Sequence, residues 1–323
     1  MSSRCSAEGC NAPEMSCSQG EMNHRDCPHW VAADKSVTVG EEDSPVALSG
    51  EFRFPWTGNA MGATDLPYLA GTGSSKLLLV AGAAEAGKTS LLAAFYLLIA
   101  RGIRPQHVEF AGSLTLEGWE NISSHLRWSA KHGPSFPPHT SSGTGRRPGM
   151  LHLALQASGE LCDLVAADAP GEWFTEWTLN KMSTQAEGAR WLADCSDVFL
   201  VIADSQALAG PQRGQARRAT IDLLRRVGGE QRGRPVALVW TKCDIPVPEE
   251  IVAAVREAAK RCLVNHAEFP VSMHPTSDGD TLNQGQGILD LLQWVLDAKA
   301  SFLKPQNEPL PGPVLLQRFG ELS

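Results

Sequence analysis

Residues 82–89 read Gly82-Ala-Ala-Glu-Ala-Gly87-Lys88-Thr89, the spacing G-x-x-x-x-G-K-[ST]. That pattern suits the grip of a chain of phosphates. Glycines let the main chain turn so that successive N–H groups converge on anionic oxygens. A helix opening at the same point adds a partial positive charge. The main chain of Gly82, Ala83, Ala84, Glu85, Ala86, Gly87, Lys88, Thr89 and Ser90 would form the cradle. Lys88 supplies a mobile cation for β- and γ-phosphates, and the Thr89 hydroxyl can bind Mg²⁺.

Two further clusters fit the same ligand. In Asp168-Ala-Pro-Gly171-Glu172, an Asp at the end of a strand beside the phosphate loop can hold Mg²⁺. Gly171 lets a main-chain N–H come close to the γ-phosphate, a contact that exists only in the triphosphate state. In Thr241-Lys242-Cys243-Asp244, the Asp carboxylate can accept from both N1–H and the 2-amino group of guanine. Adenine lacks both donors, so a buried carboxylate discriminates strongly. The Lys242 stem can cover one face of the ring. Val271-Ser272-Met273 closes a last strand, where Ser272 can add a main-chain contact to the guanine carbonyl; a core strand with a loop is the alternative.

These residues need a scaffold that brings strand ends together. Near-continuous apolar runs predict strands at Lys76–Ala81, Leu151–Ala157, Leu161–Ala167, Val198–Ala203, Pro235–Trp240 and Phe269–Met273, as for strands covered on both faces. Helical patterns fall at 88–101, 186–195, 215–227, 248–266 and 287–302. Ser158-Gly159 is placed for a hairpin turn, Gly102 to end the first helix and Pro248 to begin the fourth. The alternation predicts an α/β fold with a mostly parallel sheet between helical layers. The domain so defined runs over 75–303, with a loop insertion at 131–149. It is preceded by a Cys/His-rich segment at 1–30 and a linker at 31–74 that partly docks on the domain. A Pro-rich tail follows at 304–323.

Composition limits the partners. Of 323 residues, 28 are Lys or Arg and 36 are Asp or Glu, a net charge of −8. That balance argues against nucleic acid or an anionic membrane as the main partner. The longest apolar run, Leu91–Ala100, has ten residues, half of the roughly 20 a spanning helix needs. A cytoplasmic protein is expected, with its eight Cys as thiols or metal ligands. Cys5, Cys10, Cys17 and Cys27, with His24 as an alternative to one of them, are candidate ligands of a tetrahedral zinc. A core-poor segment would need such a metal to hold a fold; the alternative is a disordered tail with incidental thiols.

The order of motifs resembles that of the TRAFAC class of P-loop GTPases. The stretches GAAEAGKTSLLAAFY, FAGSLTLEGWE, FPPHT, RPGMLHLAL, DAPGEWFTEW, AEGARWLAD and ALVWTKCD are similar to the bacterial double-GTPase branch of predicted conflict and signalling systems. The resemblance implies a three-layer Ras-like fold, GTP or GDP with Mg²⁺, and a nucleotide-dependent switch. It carries Lys88, Thr89, Asp168, Gly171, Lys242 and Asp244 over to the usual roles. Thr241 stands where Asn is commoner, and Glu172 where many relatives have the Gln that orients the attacking water. Glu172 is therefore a candidate base, or a charge that hinders hydrolysis. A non-hydrolysing scaffold and an ATP-using P-loop enzyme are the alternatives.

A switch threonine completing the Mg²⁺ shell should sit shortly before the second strand. Thr140 in PPHT is the first candidate and Thr115 in GSLTLEGWE the second. Arg146 and Arg147 share the Thr140 loop. Trp119, Trp128, Trp173 and Trp177 fall in or beside the presumed switches, and Trp173 and Trp177 share a face if their segment is helical. They are candidate anchors for a protein effector or activator, or else ordinary core.

Overall fold

The computed structural model describes residues 4–5, 29–31, 58–69, 71, 73–127, 149–157, 159–273 and 286–300. The chain divides into two compact units, Met1–Arg53 and Phe54–Ser323. In the first unit, β1 (Arg4–Cys5) and β2 (Trp30–Val31) pair antiparallel, with Cys5 opposite Trp30. Cys10, Cys17, Cys27 and His24 lie outside the described residues. Among the described residues no cluster of three His, Cys, Asp or Glu side chains could hold a metal ion.

The second unit is built on seven strands: β3 (Ser74–Ala81), β4 (Val108–Gly112), β5 (Gly149–Ala157), β6 (Glu160–Asp168), β7 (Val198–Asp204), β8 (Val236–Thr241) and β9 (Ala267–Pro270). Their order in the sheet is β4-β5-β6-β3-β7-β8-β9. The run from β6 to β9 is parallel, whereas β5 is antiparallel to β6 and β4 to β5. The β5–β6 hairpin turns through Gly159, whose φ is +87°. The last strand ends at Pro270, so Val271–Met273 is a loop leaving it rather than its continuation.

Period-two alternation along the buried strands feeds two cores. Leu77, Leu79, Phe199, Val201 and Leu238 face one side, where α3 (Gly171–Leu179), α4 (Glu187–Cys195), α6 (Arg213–Glu230) and α7 (Glu249–Cys262) pack. Leu78, Val80, Leu200, Ile202 and Val239 face the other, against α1 (Lys88–Ala100), α2 (Leu116–Ser124) and α8 (Gln286–Asp297). The short α5 (Ser205–Ala209) follows β7. Helix α1 is apolar almost all round because α2 and α8 cover what the sheet does not. It ends as expected: Gly102 (φ +74°) donates to the Ile99 carbonyl and Ile103 to the Leu98 carbonyl, a Schellman closure. Strand β4 and helix α2 had no counterpart in the expected elements.

Residues 58–69 lie against the antiparallel side of the sheet. Met61 is buried and exchanges main-chain hydrogen bonds with Met150 on β5, at 2.8 and 3.0 Å. No helix among the described residues is long and apolar enough to cross a membrane.

Candidate functional site

Strand β3 runs into residues 82–87 and α1 runs out of them. Gly87, the N-cap of α1, takes φ +85°, a left-handed conformation that glycine adopts without strain. Among the described residues no side chain caps this helix start, and a helix N-terminus of this kind is suited to face an anion. Lys88 is buried and folds back to donate to the Ala83 carbonyl at 2.7 Å. Burial pushes its pKa down to about 8, against the opposing pull of Asp168 and Glu172.

The end of β6 closes the site from the other side. Parallel pairing sets β6 beside β3, and the Thr89 hydroxyl donates to Asp168 Oδ1 at 2.8 Å. Two hard oxygen donors from different motifs thus meet at one point, a donor set that suits Mg²⁺. Gly171, at the start of α3, lies directly on the loop. A Cβ there would come within 2.1 Å of the Ala84 nitrogen and 2.4 Å of the Ala83 carbonyl carbon, so only glycine fits. Glu172 follows it, exposed, in the first turn of α3.

The third motif grips the back of the same loop. The buried Thr241 hydroxyl donates to the Ala86 carbonyl at 2.8 Å. Lys242 Nζ donates to the Glu85 carbonyl at 3.0 Å. Asp244 accepts from the Ser272 hydroxyl, and the Cys243 N–H donates to the Val271 carbonyl at 3.1 Å. Two segments distant in sequence, 241–244 and 271–272, therefore form one surface.

Several expectations change. Trp119, Trp173 and Trp177 are buried at 1%, 8% and 0% exposure, so they are core and not anchors on a surface. Trp173 packs against Gly188, where a Cβ would lie 2.3 Å from its ring, and Arg226 lies over Trp177. Thr115 is fully buried; its hydroxyl accepts from the His152 N–H at 2.8 Å and holds the α2 start to β5. Thr140, Arg146, Arg147 and Trp128 lie outside the described residues.

Two participants were not foreseen. Asp204 and Gln206, just past the apolar run of β7, both accept from Lys242 Nζ, at 3.0 and 2.9 Å. The only cue is an Asp that ends a buried strand. In addition, a cleft of about 320 Å³ opens between α3, α5 and α6, with Ala83 and Ala84 at one end and Phe174, Leu179, Leu208 and Leu223 among its walls.

A glycine-turned loop between strand and helix, a Thr–Asp pair across it, and a T-K-x-D turn bound to its back define a P-loop nucleotide-binding domain of the GTPase class. The family model described as Double-GTPase 2 matches residues 76–295, well over half of the chain. The chain belongs to this double-GTPase family, and its domain is a GTP-binding GTPase domain. No curated protein matches it.

Proposed function

We propose that this protein is a Mg²⁺-dependent GTP-binding switch of the cytoplasm that hydrolyses GTP slowly, or faster with a partner. The observation carrying this reading is the 2.8 Å contact between the Thr89 hydroxyl and Asp168, beside a buried Lys88. Thr89 and Asp168 would hold Mg²⁺, together with Thr140. When bound, the ion supplies positive charge that offsets the charge on the phosphates.

Hydrolysis transfers the γ-phosphoryl group to water, with the bond to the β-phosphate oxygen breaking as the bond to the water oxygen forms. Charge developing on the phosphoryl oxygens is met by the Lys88 ammonium and the main-chain N–H groups of residues 83–89. Gly171 brings the start of α3 close enough to respond to a γ-phosphate. Asp244 selects guanine through its carboxylate, and the Lys242 stem covers the ring. The exposed apolar side chains of Leu179 and Met182, at 78% and 75%, lie at and just beyond the end of α3. With the cleft that Leu179 lines, they offer a partner a surface in place of the buried tryptophans. The Cys-rich segment 1–30 is proposed as a zinc-held recruitment module, which metal analysis of the purified full chain would test; less than half an equivalent of zinc would reject it.

Binding of a fluorescent GTP analogue with Mg²⁺ and with EDTA tests the central claim. Tight binding that weakens when Mg²⁺ is removed is expected, and binding indifferent to Mg²⁺ would refute it. Glu172 favours a second reading, a scaffold that holds GTP without turning it over. Multiple-turnover hydrolysis by the wild type and by Glu172→Gln separates the two. A rise in rate for the variant identifies Glu172 as a brake, a fall identifies it as a base, and no turnover by either supports the scaffold.

A further inference from the structure

Lys242 delivers its ammonium to a complete set of acceptors. Nζ donates to the Glu85 carbonyl at 3.0 Å, Asp204 Oδ2 at 3.0 Å and Gln206 Oε1 at 2.9 Å. An ammonium has three N–H groups, and these partners use all of them. The sheet register explains the meeting. Asp204 stands opposite Thr241 across the β7–β8 pair, which sets its carboxylate beside the next residue, Lys242. The other carboxylate oxygen, Oδ1, accepts from the Gln206 N–H at 3.0 Å and caps α5. One oxygen thus fixes the turn that presents Gln206, and the second fixes the lysine. Lys242 itself takes φ +54°, a conformation rare for a side-chain-bearing residue.

We infer that Asp204 and Gln206 are positioning residues for guanine-nucleotide binding, acting through Lys242. They hold the lysine between the end of β7 and the back of the phosphate loop. Two consequences follow for the site. The Lys242 stem, which has high rotamer entropy when free, is already ordered for contact with a purine face. The Glu85 carbonyl is held as well. In a trans peptide the next N–H, that of Ala86, points the opposite way, toward the side open to an anion. The clamp therefore bears on both ends of one ligand. This inference rests on the GTP-binding reading above. An isolated exposed ion pair would contribute little. Here the Asp204 and Lys242 side chains are only 13% and 26% exposed, and they share a third partner.

The test uses the full chain as wild type, Asp204→Asn, Gln206→Leu, Lys242→Met and the Asp204→Asn/Lys242→Met double variant. Dissociation constants for fluorescent GDP and GTP analogues are measured with Mg²⁺, alongside melting of the unliganded protein. Asn keeps an oxygen for the α5 cap while removing the charge. Asp204→Asn is expected to weaken both nucleotides roughly tenfold and equally, with little change in melting, because a charged hydrogen-bond partner is lost. In the Lys242→Met background it should cost nothing further. Gln206→Leu, which leaves the charge and the cap in place, should weaken binding roughly threefold; it decides the matter if Asp204→Asn folds poorly. Unchanged affinity in the variants of a wild type that binds GDP overturns this inference alone. A full tenfold loss persisting in the Lys242→Met background overturns it too, since Asp204 would then act by another route. A wild type that binds no guanine nucleotide overturns both this inference and the reading beneath it.

Discussion

Lys88 is held where burial opposes its charge, and removing it should stabilise the unliganded fold while disabling the site. Its pKa falls from 10.5 to about 8, which corresponds to about 3 kcal/mol at about 1.4 kcal/mol per unit. In Lys88→Met that cost disappears, but the 2.7 Å hydrogen bond to the Ala83 carbonyl goes too. Losing the partner of a buried carbonyl costs about 1–3 kcal/mol. The balance is a gain of about 1 kcal/mol, or a melting point about 2–4 °C higher for a domain of this size. The wild type carries a second signature. Between about pH 8 and 10.5 the unfolded chain keeps a proton that the folded chain has released, so its stability rises with pH through that window. Below pH 8 both states are charged and the cost is present in full. The variant should lack this slope. Its affinity for GTP should drop about 10- to 100-fold, the worth of charge-assisted contacts to phosphate. Calorimetric melting of both proteins from pH 7 to 10.5, with nucleotide titrations at pH 7, provides the measurement. An unliganded Lys88→Met that melts several degrees lower, or a wild type with no pH slope, would refute the reasoning.

Other perturbations probe the remaining contacts. Gly171→Ala places a Cβ 2.1 Å from the Ala84 nitrogen, so the start of α3 must retreat by roughly 1 Å; single-turnover hydrolysis should fall about 100-fold with GDP affinity much less affected, and an unchanged rate would show that α3 is not part of the catalytic arrangement. Asp244→Asn should move preference from GTP toward xanthosine triphosphate by roughly 100-fold or more, measured by competition; an unchanged preference would point to an ATP-using or non-selective site. Thr115→Ala should destabilise the domain by about 1–3 kcal/mol through loss of the His152 contact while leaving Mg²⁺-dependent GTP affinity intact. Thr140→Ala should weaken that affinity without a comparable stability loss, and the reverse pattern would exchange the two roles.

What could be read from the sequence followed from how local its causes are. β3, β7 and β8 announce themselves because both of their faces are buried, leaving no polar alternation to confuse the pattern. The phosphate loop is legible because a tight anion cradle needs glycine, lysine and threonine at fixed offsets. β4 is different: only Val108 of its five residues is buried, and at a sheet edge no apolar run marks it. α2 has Gly118 and two serines, poor helix formers. It persists because the chain at Asn59 presses on it, so closely that a Cβ at Gly118 would lie 1.8 Å from the Asn59 carbonyl oxygen. The tryptophan spacing implies a shared face, but which way that face points depends on Gly188 and Arg226, each on another helix. Asp204 acquires its role from strand pairing with Thr241, a relation no local window contains.

The departure at Thr241 makes sense in the same physical terms. A shorter side chain than Asn has to reach the loop from the end of β8, and it does so with its hydroxyl 2.8 Å from the Ala86 carbonyl oxygen. The Thr241 hydroxyl holds the Ala86 carbonyl and Lys242 holds the Glu85 carbonyl. Two consecutive peptides are thus gripped from behind by consecutive residues. Because C=O and the following N–H are antiparallel across a trans peptide, fixing these two carbonyls turns the N–H groups of Ala86 and Gly87 toward the opposite side. Lys88 binds a third carbonyl of the loop, that of Ala83. The motif proposed to select the base therefore acts first on the protein itself, ordering two donors of the proposed cradle.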